Sequence, residues 1–398
     1  MIKLNNIFKN IPQALSIYLN QIVYEQKRMG RDITVLSLGE AFFDIPNFNF
    51  TDIDMQKGYH YSDSQGLPAL RKKISNLYQS KYNVKVDYNS EIIISAGSKI
   101  LSYFAIKSLI NKEDEVIVVE PYWLSYTEQI KLSNGRIKVI PFGTKIEDYK
   151  NYFTKKTKAL IINNPNNPSG LELDKKSIIK IYKNCLKKNI FLIIDEAYSD
   201  FTDKNTFISF GKLFKNKKNL ILINSLSKNM GISGWRIGYL ISQPYIIKNI
   251  LKLNQHLITC APTILQLYLE KHFEKIIDVT SSQIKNLILK KKKILKFLDL
   301  NKIKYVNGLT TFYILINIDK YSYTSNALAL YLLLKYQISV VPGIAYGKGC
   351  SKFIRLSIGS ESLERIKEAI LTIKKVLIND ECENELIKSH LKELNENQ

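Results

Sequence analysis

Residues 159–195 read ALIINNPNNPSGLELDKKSIIKIYKNCLKKNIFLIID. The ends of this stretch, ALIIN (159–163) and FLIID (191–195), are short apolar runs rich in isoleucine, the texture of strands buried on both faces. Between them, DKKSIIKIYKNCLKKN (174–189) repeats its apolar residues at helical spacing and opens on Asp174, a residue suited to capping a helix N-terminus. The pattern continues outward. EIIISA (91–96), VIVVE (116–120), RIKVIP (136–141), LILIN (220–224) and IGYLIS (237–242) read as further strands, and KILSYFAIKSLI (99–110) as a helix. Apolar strands separated by helices predict an α/β fold with a mostly parallel, seven-stranded sheet covered on both faces. Polar residues then fall at strand ends, where open α/β sheets place their ligands.

Near residue 280 the texture changes. SSQIKNLILKKKKILKFLDL (281–300) reads as a long helix, followed by strands at TFYILINI (311–318), ISVVPG (338–343) and FIRLSIG (353–359). This predicts a large domain over 39–280 and a smaller α/β domain over 281–378. Residues 1–38, with a helix around 13–29, are expected to pack beside the smaller domain. The acidic tail 379–398 places Ile387, Leu391 and Leu394 on one side of a helix.

The formal net charge of +22 raises the possibility of nucleic acid or a membrane surface as a partner. The basic clusters KNKK (215–218) and KKKK (290–293) are short and carry no interleaved aromatics, and no helix-turn-helix segment precedes the sheet, so neither partner is expected. Cys185, Cys260, Cys350 and Cys382 form no CxxC pair, and His60, His256, His272 and His390 have no metal-ligand spacing. The N-terminal stretch MIKLNNIFKNIPQALSIYLN lacks a leader's apolar centre, and no apolar run is long enough to span a bilayer. The expectation is a cytoplasmic protein without a metal.

One stretch carries polar residues in a cramped setting: SLSKNMGISGWRIGYL (225–240). A lysine at a strand end, in a dry pocket, can have its amine pKa lowered and act on an aldehyde. Lys228 fits that description. Asp195 ends a strand, Asn167 lies in a loop shaped by Pro165, Pro168 and Gly170, Ser225 and Arg236 flank the lysine, and Gly97-Ser98 open a helix after a strand, a ready anion site. Together they describe a cavity for a phosphorylated ring with a reactive aldehyde. Singly, each has an ordinary reading: Asp195 a helix cap, Arg355 a surface ion pair, Trp123 core, Asn167 turn chemistry.

SLSKNMGISGWRIGYL, NNPNNPSG, IIDEAYSDF, GSK (97–99), EPYWLSYTE and FIRLS resemble, in order and at similar separations, the motifs of the class I and II aminotransferases. These are fold-type I pyridoxal-phosphate enzymes, and the likeness is strongest to the bacterial aspartate aminotransferase branch. The resemblance implies pyridoxal 5′-phosphate as cofactor and a ping-pong transfer of an amino group from an L-amino acid to a 2-oxo acid. It implies that Lys228 holds the cofactor as a Schiff base and moves the proton, and that Asp195 pairs with the pyridine nitrogen. Asn167 and Tyr198 would bond the ring oxygen and Trp123 would stack on the ring. Gly97, Ser98, Lys99, Ser225 and Arg236 would surround the phosphate. Arg355 would grip the substrate α-carboxylate, with Gly39, Lys99, Trp123 and Asn167 also touching substrate. Tyr61 would reach the phosphate of a neighbouring subunit, implying a homodimer with shared sites.

Two departures bear on the substrate. Leu15 in PQAL stands where the aspartate branch has a threonine, and GEAFFDIP carries Ala41 and Phe42 in place of proline and aspartate. Both changes tilt the expectation from aspartate toward a larger or less acidic side chain. They also keep open a C–S lyase, a cyclising synthase or an oxidase built on the same cofactor.

Overall fold

The computed structural model describes residues 11–202 and 207–396. The first ten residues of the expected N-terminal segment and the last two of the tail lie outside them. Twelve strands occur among the described residues. After β1 (Thr34–Val35) come seven that form the central sheet: β2 (Ile92–Ser95), β3 (Glu115–Val119), β4 (Arg136–Ile140), β5 (Thr157–Asn163), β6 (Phe191–Asp195), β7 (Leu220–Ser225) and β8 (Gly238–Ser242). Their spatial order is β2-β8-β7-β6-β5-β3-β4, parallel except for β8, which runs antiparallel to both neighbours.

Strand alternation explains why these runs are apolar throughout. Ile92, Ile94, Leu160, Ile162, Leu192 and Ile194 enter one core with Leu70, Ile74 and Tyr78 of the helix Pro68–Tyr82 and with Ile178 and Ile181. Ile93, Ala159, Ile161 and Ile193 enter another, against Leu101 and Phe104 of the helix Ser98–Leu109 and Ile246 and Ile250 of the helix Pro244–Leu257. Every second residue thus meets a helix on its own side, and each buried isoleucine contributes about 1.5–3 kcal/mol. The crossover helix Lys175–Lys187 is capped as the sequence predicts, Asp174 accepting from the Ser177 amide at 2.7 Å.

A third core joins Tyr18, Leu19, Ile22 and Val23 of the helix Leu15–Arg28 to residues from both ends of the chain's last third. Its sheet is β9 (Tyr313–Asn317), β12 (Phe353–Ser357) and β11 (Val341–Pro342), antiparallel in the order β11-β12-β9. ISVVPG is two strands rather than one. β10 (Ile338–Ser339) pairs with β1, and the chain changes sheets at Val340 before β11. The helix Asn384–Glu396 closes this body, with Ile387 and Leu394 buried and Glu393 accepting from the Tyr18 hydroxyl at 2.8 Å. Among the described residues, no helix is long and apolar enough to cross a membrane.

The helix expected at 281–300 is longer, running unbroken over Thr263–Leu300. Its first half packs Leu269, Phe273 and Ile276 into the large-sheet core, and its second half packs Ile284, Ile294 and Leu298 into the third core. The change of texture near residue 280 is therefore a change of core, and no glycine or proline interrupts the helix.

Each basic cluster hides one lysine. Lys217 is buried and pairs with Glu91 at 3.1 Å. Lys291 is 1% exposed, its amine donating to the Thr310 carbonyl. Burial pushes the Lys291 amine down to about 7, against about 10.4 in an unfolded chain. Between those values the unfolded chain binds more protons than the fold, so this group makes stability rise with pH across that window. Urea unfolding at pH 7 and pH 9 is expected to show the wild type gaining roughly 1–2 kcal/mol more over the interval than Lys291→Met, which removes the titrating amine. Equal gains in both proteins would mean the amine does not titrate there.

Candidate active site

The C-terminal ends of the parallel strands face one cavity of about 610 Å³, floored by the sheet and walled by β9 and β12. Its residues come from distant parts of the chain: Gly39, Ser98, Lys99, Trp123, Asn167, Asp195, Tyr198, Ser225, Lys228, Arg236 and Arg355 all line it. Register explains the floor. Asn163 at the end of β5 lies beside Asp195 at the end of β6, and Ser225 at the end of β7 lies beside Gly238.

Lys228 sits on the turn Leu226–Asn229 that follows β7, with Ser225 capping it by accepting from the Ser227 amide at 3.1 Å. Its amine donates to the Gly39 carbonyl at 2.5 Å. Burial pushes this amine down to about 8, against the pull of the Glu40 carboxylate and with added repulsion from Arg236 and Arg355. A usable neutral fraction is thus present near neutral pH, as a nucleophilic lysine requires.

Asp195 is buried, accepting from the Tyr126 hydroxyl at 2.7 Å and from the Ala197 amide at 3.0 Å. Burial still raises its carboxyl above the ordinary range, despite those two bonds and the charge of Lys228. A cationic group placed against it in the cavity would restore the anion.

One wall gathers positive charge. The helix Ser98–Leu109 points its N-terminus inward after Gly97, whose φ of 92° is left-handed. A Cβ on Gly97 would lie 2.5 Å from the Arg236 guanidinium, and one on Gly238 only 2.3 Å from the Ser98 amide nitrogen. Both positions therefore need glycine for the turn, the arginine and the strand to close on one another. Arg236 is anchored by donating to the Ser233 carbonyl at 2.7 Å. The Lys99 amine lies 5.3 Å from the Trp123 ring centroid, and its pKa is lowered by burial and then by Arg236. Two cations beside a helix N-terminus and two serines make an anion cradle.

On the opposite wall, Arg355 is buried and donates to the Asn167 side-chain oxygen at 3.3 Å and to the Ser37 carbonyl at 2.7 Å. Its Nε is buried with no hydrogen-bond partner among the described residues. Asn167 is fixed from behind, its amide donating to the Asn163 side chain at 2.6 Å, and its side-chain nitrogen donates to the Tyr198 hydroxyl at 3.4 Å. Trp123 meets Tyr126 edge-on at 5.2 Å.

Tyr61 stands apart from this group. It is 85% exposed and belongs to a surface cleft with Lys57 and His60. Phe42 does not enter the cavity either; its ring is 63% exposed, so the aromatic replacement read from GEAFFDIP leaves the pocket itself unchanged. Leu15 lines a neighbouring apolar cavity that shares Leu124 with this one. Several lining or supporting residues go beyond those the sequence points to: Tyr126, which lies within the motif EPYWLSYTE, Asn163, which opens the motif NNPNNPSG, and Ser37 and Tyr313, which no motif marks.

Residues 33–373 match the family model described as Aminotransferase class I and II. The chain belongs to the class I and II aminotransferases. Two aminotransferase relatives have similar lengths. A (5-formylfuran-3-yl)methyl phosphate transaminase of Methanocaldococcus jannaschii is 33% identical, covering 87% of this chain and 92% of the relative. A probable aspartate/prephenate aminotransferase of Aquifex aeolicus is 31% identical over 89% and 93%. A Methanococcus jannaschii protein, whose crystal structure is described as similar in its active site to kynurenine aminotransferases, superposes with a TM-score of 0.84 at 31% identity, covering 94% of this chain and 100% of that one. This aminotransferase is accordingly a pyridoxal-phosphate-dependent transaminase with the fold-type I architecture, acting on an amino acid and a 2-oxo acid. The cavity suits that cofactor in three respects: a desolvated amine for an aldehyde, a buried carboxyl for a ring cation and a basic cradle for a phosphate.

Proposed function

We propose that this cavity is the transaminase's catalytic centre, working in a cytoplasmic homodimer on an L-amino acid donor whose side chain is larger or less acidic than that of aspartate. The observation that carries the assignment is the Lys228 amine and the buried Asp195 carboxyl facing one space. When bound, pyridoxal phosphate supplies an aldehyde carbon and an electron-withdrawing cationic ring.

In this reading Lys228 holds the cofactor through Nζ and, once freed, moves the proton taken from the substrate α-carbon. Asp195, oriented by Tyr126, keeps the ring nitrogen protonated. Ser98, Ser225 and Arg236 hold the phosphate at the Gly97 turn, with charge-assisted bonds from the guanidinium. Asn167 and Tyr198 bond the ring oxygen, and Trp123 covers the ring face and excludes water. Arg355 turns its planar fork toward the substrate carboxylate, a geometry lysine reproduces poorly. Lys99 and Gly39 border the substrate.

The exposed Tyr61 hydroxyl is suited to a second copy's phosphate, which supports the dimer. The relatives' named substrates span aspartate, prephenate and a phosphorylated furan aldehyde, so the family alone does not select the donor. Leu15, Ile17 and Leu124 near the cavity favour an apolar side chain over a second carboxylate.

The test is a donor screen followed by cofactor absorbance. An accepted donor converts the yellow aldehyde form to the amine form, and a 2-oxo acid restores it. Failure of every L-amino acid to bleach the yellow form would refute the assignment; preference for aspartate over leucine, phenylalanine and tyrosine would refute the proposed side-chain class alone.

A further inference from the structure

We propose that Tyr313 is a positioning residue that aims the Tyr198 proton into the cavity; this rests on the cofactor reading above. The two hydroxyls lie 2.8 Å apart, both residues are buried, and Tyr313 also lines the cavity. Either oxygen could donate in isolation, but the surrounding bonds choose. Arg355 only donates, so the Asn167 atom at its Nη1 is the carbonyl oxygen, and the Asn167 NH₂ must face Tyr198. One lone pair of the Tyr198 oxygen is thereby taken.

The Arg355 guanidinium stacks 4.3 Å from the Tyr313 ring centroid, and a cation on that face makes the Tyr313 hydroxyl the stronger donor. Tyr313 then fills the second Tyr198 lone pair. A hydroxyl has one proton and two lone pairs, so with both pairs occupied the Tyr198 proton has only the cavity left to point into. Donation into its oxygen also strengthens that proton as a donor. The charged groups that act on the pair are Arg355, Asp195 and Glu40, and Lys228 lines the same cavity.

In the holoenzyme the acceptor would be the cofactor's ring oxygen, and the group that titrates would be the Lys228 nitrogen that holds the cofactor. A strong Tyr198 donor favours the state in which the proton has left that nitrogen, and so lowers the midpoint of the cofactor's pH-dependent colour change. Tyr313→Phe removes only the hydroxyl and keeps the ring over Arg355. Its absorbance titration is expected to move upward by about half to one pH unit. The donor KM is expected to stay within about twofold, because the Arg355 support is retained.

The discriminating comparison is the same change in a Tyr198→Phe background, where the Tyr313 hydroxyl has lost its partner and is expected to add no further shift. An unchanged midpoint in Tyr313→Phe, or an equal shift in both backgrounds, overturns the inference. A wild-type protein that shows no titrating cofactor absorbance overturns it together with the cofactor reading, a result distinct from the other two.

Discussion

Replacing Lys228 by alanine is expected to lower transamination by about 10⁴-fold or more while leaving the protein folded and still able to take up pyridoxal phosphate. In the proposed mechanism the size follows from two losses at one atom: a positioned proton carrier, worth about 10²–10⁴ in rate, and a nucleophilic amine that no neighbour can replace. The nearest other cavity amine, on Lys99, stands over the Trp123 ring on the cationic wall, away from the Gly39 carbonyl that holds Lys228. The fold is expected to survive, since Lys228 Nζ makes its hydrogen bond to that one carbonyl and Ser225 continues to cap the turn. Single-turnover absorbance with an accepted donor reads the chemical step directly. Residual turnover within tenfold of wild type would remove Lys228 from the proton transfer.

Asp195→Asn is expected to lower kcat by about 10²–10³, the usual loss when one preorganised electrostatic partner is removed from a buried site. Asparagine keeps the shape: its one oxygen can still accept from the Ala197 amide, while its NH₂ replaces the oxygen that accepted from Tyr126 and can donate to that hydroxyl instead. What it loses is the charge proposed to hold a proton on the cofactor's ring nitrogen. The donor KM should change little, because the wall around Arg355, proposed to bind the carboxylate, is formed with Asn167 and Ser37. Comparable loss in KM and kcat would instead indicate that the substitution disturbs the cavity floor.

The central sheet was legible because its strands other than the edge strand β4, where Arg136 and Lys138 intervene, carry apolar runs buried on both faces. The gathering of Asp195, Asn167, Ser225 and Lys228 was legible for a related reason, since residues just after parallel strands converge at one sheet edge. The long helix was misread at its start because apolar periodicity does not say which core a stripe faces. Lys291 was hidden inside KKKK, where three neighbours disguise one inward position. Tyr313 left no local trace; its link to Tyr198 spans 115 residues of sequence and exists only once β9 is packed over the end of β6.

The helix Thr263–Leu300 is a rod of ~57 Å. Because the two cores share it without a flexible joint, neither can shed its half and leave the other's termination intact. Melting on one side frays the backbone ladder that the remaining side is built upon, so heat is expected to dismantle the molecule as a single cooperative unit rather than in two stages.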